Sequence, residues 1–120
     1  MYAMTPLQLP VTTVRGDTVA VLPSEIDAHN APMIRDALFN LLDQGVPSLI
    51  VDLTGTNFCD CAGLRALTRV RRRADVLHTP ACVALPDTGS VRRVAELSGF
   101  MRDDQVATGL AAAHRRLHPV

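Results

Sequence analysis

No apolar run in this sequence approaches the roughly 20 residues that cross a bilayer, and residues 1–10 lack the charged start and apolar stretch of a leader. The expected location is the cytoplasm, with no membrane contact. Lysine is absent: the twelve basic residues are all arginine, and twelve acids, ten of them Asp, balance them to a net charge of zero. That balance excludes a general nucleic-acid binder, which needs surplus positive charge to displace counterions from phosphates. Aromatic rings for base stacking are almost missing as well, being limited to Tyr2, Phe39, Phe58 and Phe100. Three cysteines (Cys59, Cys61, Cys82) and four scattered histidines (His29, His78, His114, His118) provide no four-ligand zinc set, so no metal or other cofactor is expected. In a reducing compartment each thiol is by default a small buried side chain. There is no internal repeat and no low-complexity segment.

What remains is the composition of one folded domain. With 48% hydrophobic and 20% charged residues in a chain of 120, a core can form, and a second domain does not fit. Val11 to Val14 and Val19 to Leu22 are short apolar runs around the turn-forming Arg15-Gly16-Asp17, which predicts a hairpin. Ala31-Pro32 can start a helix whose Met33, Ala37, Leu38, Leu41 and Leu42 recur at helical spacing, and Gly45 followed by Pro47 stops it. Ser48 to Leu53 is near-continuously apolar, as in a strand covered on both faces, and Thr54 to Asn57 is a loop.

From Cys61 to about Leu77 the pattern is helical again. Ala62, Gly63, Ala66, Leu67, Val70, Ala74 and Leu77 fall on one side of that helix and Arg65, Arg69 and Arg72 on the other. Ala81 to Leu85 predicts a fourth strand and Thr88 to Leu97 a third helix, ended by Ser98-Gly99. A short strand near Gln105 to Ala107 and a C-terminal helix through Arg116 follow. The predicted fold class is α/β: a mixed sheet with an N-terminal hairpin, then alternating helices and strands.

Three blocks carry a family resemblance. Val21 to Ala28 (VLPSEIDA), with Ala31-Pro32 and Arg35 after it, is similar to the "G-E-L-D-A … A-P-x-L-R" segment of STAS domains, the family of bacterial anti-sigma factor antagonists. Val51 to Gly55 and Phe58 to Leu64 (FCDCAGL) resemble its "D-L-S-G-V-x-F-I-D-S-S-G-L". Ser90 to Phe100 (SVRRVAELSGF) resembles its "V-R-R-V-L-E-L-T-G-L" helix. The blocks stand in the family's order over about residues 15–110, and the whole of 1–120 reads as a single STAS-type domain with flexible ends.

The resemblance implies a non-catalytic protein that binds an anti-sigma factor, commonly a serine kinase, and thereby releases a sigma factor. In the family the kinase reverses binding by phosphorylating a serine just after the motif's Asp. Phosphate adds roughly −1.5 to −2 charges and so repels an acidic partner surface. Here the phosphoacceptor position is Cys61 and the next is Ala62, so serine phosphorylation is lost, and Thr54, Thr56 and Thr68 are the candidate substitutes. The expected partner-binding residues are Asp27, Asp60, Cys61, Ala62, Gly63, Leu64, Arg65, Arg69 and Arg72. The alternative in the same fold is a regulatory subunit of another signalling or transport complex. Nothing in the sequence signals an oligomeric state.

Rival readings come from other classes. Cys61 at a helix N-terminus has a dipole that favours thiolate, opposed by the neighbouring Asp60, so oxidation of Cys61 or its pairing with Cys59 or Cys82 is a candidate redox switch. Cys59 and Arg65 spell C-x5-R, the oxyanion-wrapping spacing of thiol phosphatases. Asp60 inside that loop would repel a phosphate, and Gly63 is its only glycine, so no enzyme is expected. The run Arg65, Arg69, Arg71, Arg72, Arg73 reads as a solvated helix face rather than a nucleic-acid patch, and its stripe of Arg65, Arg69 and Arg72 is expected to meet acidic groups of a protein partner. Asp27 and Asp60, expected at adjacent strand ends, are assigned to backbone capping before acid/base chemistry. His29 and His78 receive no role, nor do His114 and His118 in the C-terminal tail.

Overall fold

A computed structural model describes residues 9–102 and 104–119, and the N-terminal residues 1–8, read from the sequence as flexible, lie outside them. β1 (Val11–Val14) and β2 (Asp17–Val21) form the expected antiparallel hairpin, from Val11↔Ala20 to Val14↔Asp17. Arg15 and Gly16 between them have φ of 52° and 85°. Two positive φ values are what a tight hairpin turn needs to match the strand twist. Asp17, read as a turn residue, instead opens β2.

The remaining elements are β3 (Glu25–Ile26), α1 (Ala31–Asp43), β4 (Leu49–Asp52), β5 (Phe58–Cys59), α2 (Cys61–Val76), β6 (Ala81–Leu85), α3 (Ser90–Leu97), β7 (Val106–Thr108) and α4 (Gly109–Leu117). A short 3-10 turn at Phe100–Arg102 joins α3 to β7. The main sheet has the order β1-β2-β4-β6-β7, antiparallel at the hairpin and parallel elsewhere. This is the mixed sheet the sequence predicts. The two-residue strands β3 and β5 pair in parallel as a second, smaller sheet that the sequence reading lacked.

Both faces of the main sheet are covered, which is why β4 and β6 are apolar at every position but Asp52. On one face Ala20, Leu49, Val51, Val83 and Val106 join a core with Ile34, Leu38, Leu67, Val70 and Val91 from the first three helices. On the other, Val19, Ile50, Cys82, Ala84 and Ala107 pack under Ala113 of α4, with Leu110 and Leu117 alongside. The inner stripe of α1 is Ala31, Ile34, Leu38 and Leu42; Met33, expected there, is 36% exposed. Leu77 lies just past α2 and is 40% exposed, so the apolar stripe of that helix ends at Ala74.

The C-terminal histidines depart furthest from expectation. His114 on α4 is buried, with Nδ1 2.6 Å from Asp17 Oδ2, and His118 Nε2 lies 2.8 Å from Asp17 Oδ1. Ser48 donates its hydroxyl to the same Oδ1. Asp17 is fully buried at the start of β2, so residues 97 positions apart tie α4 to the sheet. Burial alone would raise the Asp17 pKa. The hydrogen bonds from Ser48, His114 and His118, with the His118 charge, reverse that and hold it below the ordinary carboxylate value.

The first turn of α2 approaches the small sheet more closely than any side chain permits. A Cβ at Gly63 would lie 2.6 Å from Cys59 Sγ and 2.7 Å from Ile26 Cγ2. Ile26 is β-branched and buried, so it has little room to turn away.

Two stability measurements follow. Helix propensity favours Gly63→Ala by about 1 kcal/mol, but overpacking costs about 1–3 kcal/mol, so a lower urea midpoint is expected; an unchanged or higher one contradicts the contact. Asp17→Ala, which strands Ser48 and His114, is expected to lower the unfolding free energy by about 2–3 kcal/mol. Because the Asp17 pKa is lowered on folding, its contribution is present above the ordinary carboxylate pKa of about 3.9 and is lost as pH falls through the folded value. Asp17→Asn should therefore show a shallower loss of stability than the wild type between about pH 5 and pH 2.

Candidate functional site

The site is built where the small sheet meets α1 and α2. Parallel pairing of Ile26 with Cys59 brings Asp27 and Asp60 to neighbouring strand ends, as the sequence reading expects. Both carboxylates bind backbone amides. Asp27 Oδ1 accepts from the amides of His29 (2.9 Å) and Asn30 (3.2 Å), while the Asp27 amide donates to Asn30 Oδ1 at 3.0 Å. Asn30 in turn donates to the Glu25 carbonyl at 2.8 Å, which closes the loop ahead of α1.

Asp60 is the N-cap of α2, with extended backbone and its Oδ1 accepting from the Gly63 amide at 3.0 Å. Such a cap satisfies one of the unpaired amides of a first helical turn and is worth about 1 kcal/mol. Its own amide donates to the Ile26 carbonyl at 3.1 Å, so cap and small sheet hold each other. Cys61 follows as the first helical residue, with its thiol exposed. Ala62 is half-buried, and Gly63 and Leu64 turn inward.

The other two thiols are internal. Cys59 is buried against Gly63, and burial, with the charge of neighbouring Asp60 adding, pushes its pKa up to about 12. Thiolate at Cys59 is therefore negligible at neutral pH. The C-x5-R spacing to Arg65 accordingly forms no cradle around a reactive sulfur. Cys82 is buried beneath α4. Of the three substitute phosphoacceptors, Thr54 donates its hydroxyl to Asp52 (2.6 Å), buried Thr56 to the Pro23 carbonyl (2.9 Å) and Thr68 to the Leu64 carbonyl (2.9 Å).

The arginines of α2 divide into two groups, which corrects the reading of one solvated run. Arg71 is buried, with its guanidinium 4.2 Å from the centroid of the Phe100 ring, a cation–π contact that packs α2 against the 3-10 turn. Arg73 holds Asp43 of α1 at 2.8 Å. Arg65, Arg69 and Arg72 are exposed, and among the described residues no carboxylate pairs with them. Like charges at i,i+4, as in Arg65 and Arg69, cost an isolated helix about 0.2–0.5 kcal/mol.

Two hollows border this stripe. Cys61, Leu64, Arg65, Thr68 and Phe100 line one of about 420 Å³. The other, of about 190 Å³, lies between α1 and α2, where Arg35 faces Arg65 and Arg69 across a floor of small side chains. Sequence reading gave Arg35 only as part of a motif, because its opposition to Arg65 exists only once two helices pack. No group of His, Cys, Asp and Glu among the described residues is placed to hold a metal.

A family model described as the STAS domain matches residues 8–113. Among solved structures, an anti-sigma factor antagonist from Mycobacterium paratuberculosis superposes with a TM-score of 0.80 at 23% identity, over 92% of each chain. The anti-sigma factor antagonist SpoIIAA of Bacillus, in its unphosphorylated form, gives 0.67 at 18% identity over 94% of this chain and 100% of that one. The murine anion transporter Slc26a9 gives 0.65 at 15% identity, over 89% of this chain but 18% of the transporter. At these identities the likeness is one of fold. No curated protein matches the sequence. The family match spans every element from β1 to most of α4, and the chain belongs to the STAS domain family.

Proposed function

We propose that this protein is a non-catalytic anti-sigma factor antagonist of the bacterial cytoplasm, which binds an anti-sigma factor and so releases a sigma factor without serine phosphorylation as its off-switch. The observation that carries this is the capped first turn of α2, with Asp60 on the Gly63 amide and an exposed Cys61 where the family's motif has serine. SpoIIAA, of similar fold, is known in a phosphorylated form. Cysteine offers a serine kinase no hydroxyl, and the nearby threonine hydroxyls already donate within the protein.

Binding uses the Asp27 loop, the turn from Asp60 to Leu64, and Arg65, Arg69 and Arg72. Carboxylate-to-amide hydrogen bonds hold the shape of the loop and the turn. The unpaired arginines supply charge for encounter and orientation with an acidic partner. Cys61, as the exposed thiol, is the residue through which oxidation would act, since Cys59 and Cys82 are buried. A second reading, a regulatory domain in a transport complex, is favoured by the similar fold within the murine anion transporter. No helix among the described residues is long and apolar enough to cross a membrane.

The two parts are tested separately. With a serine-kinase anti-sigma factor and labelled ATP, the wild type is expected to take up no phosphate, whereas Cys61→Ser becomes labelled; labelling of the wild type would overturn the loss of the switch. Arg69→Glu is expected to weaken binding of the anti-sigma factor about tenfold, and raising salt from about 50 to 500 mM to slow association. A dissociation constant indifferent to both counts against the basic stripe as the docking face.

A further inference from the structure

The trough between α1 and α2 has a definite chemistry. Its floor is apolar and shallow, formed by Pro32, Ala62 and Ala66, and its banks carry Arg35 on one side and Arg65 and Arg69 on the other. Among the described residues Arg35 bonds its sequence neighbour Asp36, through Nε at 3.1 Å, and its side chain lines the trough. Among the described residues Arg65 and Arg69 meet no carboxylate. The chain does place acids against arginines elsewhere, as in Arg73 with Asp43 and Arg92 with Glu96. Three cations are thus gathered around a strip too small to bury a bulky side chain, with no intramolecular anion on the α2 bank.

We infer that this trough is the seat of an acidic helix of the protein partner, one that presents two carboxylates four residues apart and a small aliphatic side chain between them. The spacing follows from geometry. Arg65 and Arg69 are separated by four residues of α2, about 6 Å of axial rise. A partner helix lying along α2 repeats that rise between Glu side chains at i and i+4, so each carboxylate meets one guanidinium. Its aliphatic side chain rests on Ala62 and Ala66, and Arg35 closes the opposite bank. Small floor residues let the two backbones approach, and the arginine forks supply direction.

This inference rests on the antagonist reading for the partner's identity and deepens the docking face proposed there, adding Arg35 and the Ala62–Ala66 floor to Arg65 and Arg69. The probe is a synthetic helical peptide with Glu at i and i+4 flanking one alanine, compared with its Gln counterpart by fluorescence anisotropy and by amide shifts in 15N spectra. The Glu peptide is expected to bind at least about tenfold tighter than the Gln peptide, with shifts concentrated on residues 31–35 and 62–69. Arg65→Ser with Arg69→Ser should abolish that difference, Arg35→Ser should halve it or more, and Arg93→Ser, a cation remote on α3, should leave it intact. Ala62→Leu, which fills the trough without changing charge, should weaken binding as well. Equal loss with Arg93→Ser, or shifts spread over the whole surface, would overturn the trough in favour of bulk attraction. Where an anti-sigma factor binds the wild type and both Arg35→Ser and Ala62→Leu equally well, the antagonist reading stands and the trough falls. Where the peptide seats as described but purified anti-sigma factors do not bind, the trough stands and the antagonist reading falls.

Discussion

The geometry of this molecule depends on a place where only a hydrogen atom fits. At Gly63 the first turn of α2 lies so close to Ile26 and Cys59 that even a methyl group would overlap both. That approach brings the small β3–β5 sheet against the helix and sets where Asp60 stands as cap. It also turns Cys59 inward and leaves Cys61, two residues on, facing out. The direction of α2 then determines what its long side chains can reach. Arg71 falls over Phe100, Arg73 reaches Asp43, and Arg65 and Arg69 are left along the trough facing α1.

Charge in this protein is separated by use. Buried or half-buried carboxylates hold the backbone or the fold together: Asp17 fastens α4, Asp27 shapes the loop before α1, Asp52 orders Thr54 and Asp60 caps α2. Each has its partners inside the chain. Arg65, Arg69 and Arg72 of α2 have no carboxylate partner among the described residues. A zero net charge therefore coexists with a local stripe of unmatched arginines on α2, while exposed acids such as Asp36 and Glu96 stand elsewhere on the surface.

The sequence made most of the architecture legible, for reasons that differ by element. β4 and β6 could be read because a strand buried on both faces is a continuous apolar run, and α2 because its stripes lie on opposite sides of a helix. β3 and β5 could not, since two residues carry no period; their pairing depends on backbone bonds such as Asn57 to Ser24, made across 33 residues. Phe100–Arg102 went unread as a turn, and with it the burial of Arg71, which spacing alone put among solvated arginines. His114 and His118 stand at a helical interval of four, but its meaning required Asp17 of β2, 97 residues before His114, on the face that α4 covers. In the site, the Asp60 cap and the first turn of α2 followed from the motif, whereas the exposed Cys61 departs from the buried default set for every thiol. The bank opposite Arg65 did not, because Arg35 meets it only through helix packing.

The clamp at Asp17 also bears on how the molecule is made. Its two sides are 97 residues apart, and contacts of such separation form late because a large loop must close first. Strands β2, β4 and β6 can be paired and covered on one face by the first three helices while the other face still waits for α4. Val19, Ile50 and Cys82 belong to the face that α4 covers. The clamp that fastens this helix therefore also keeps the Cys82 sulfur sealed, so a change at Asp17 that loosened α4 would expose a thiol as well as an apolar face.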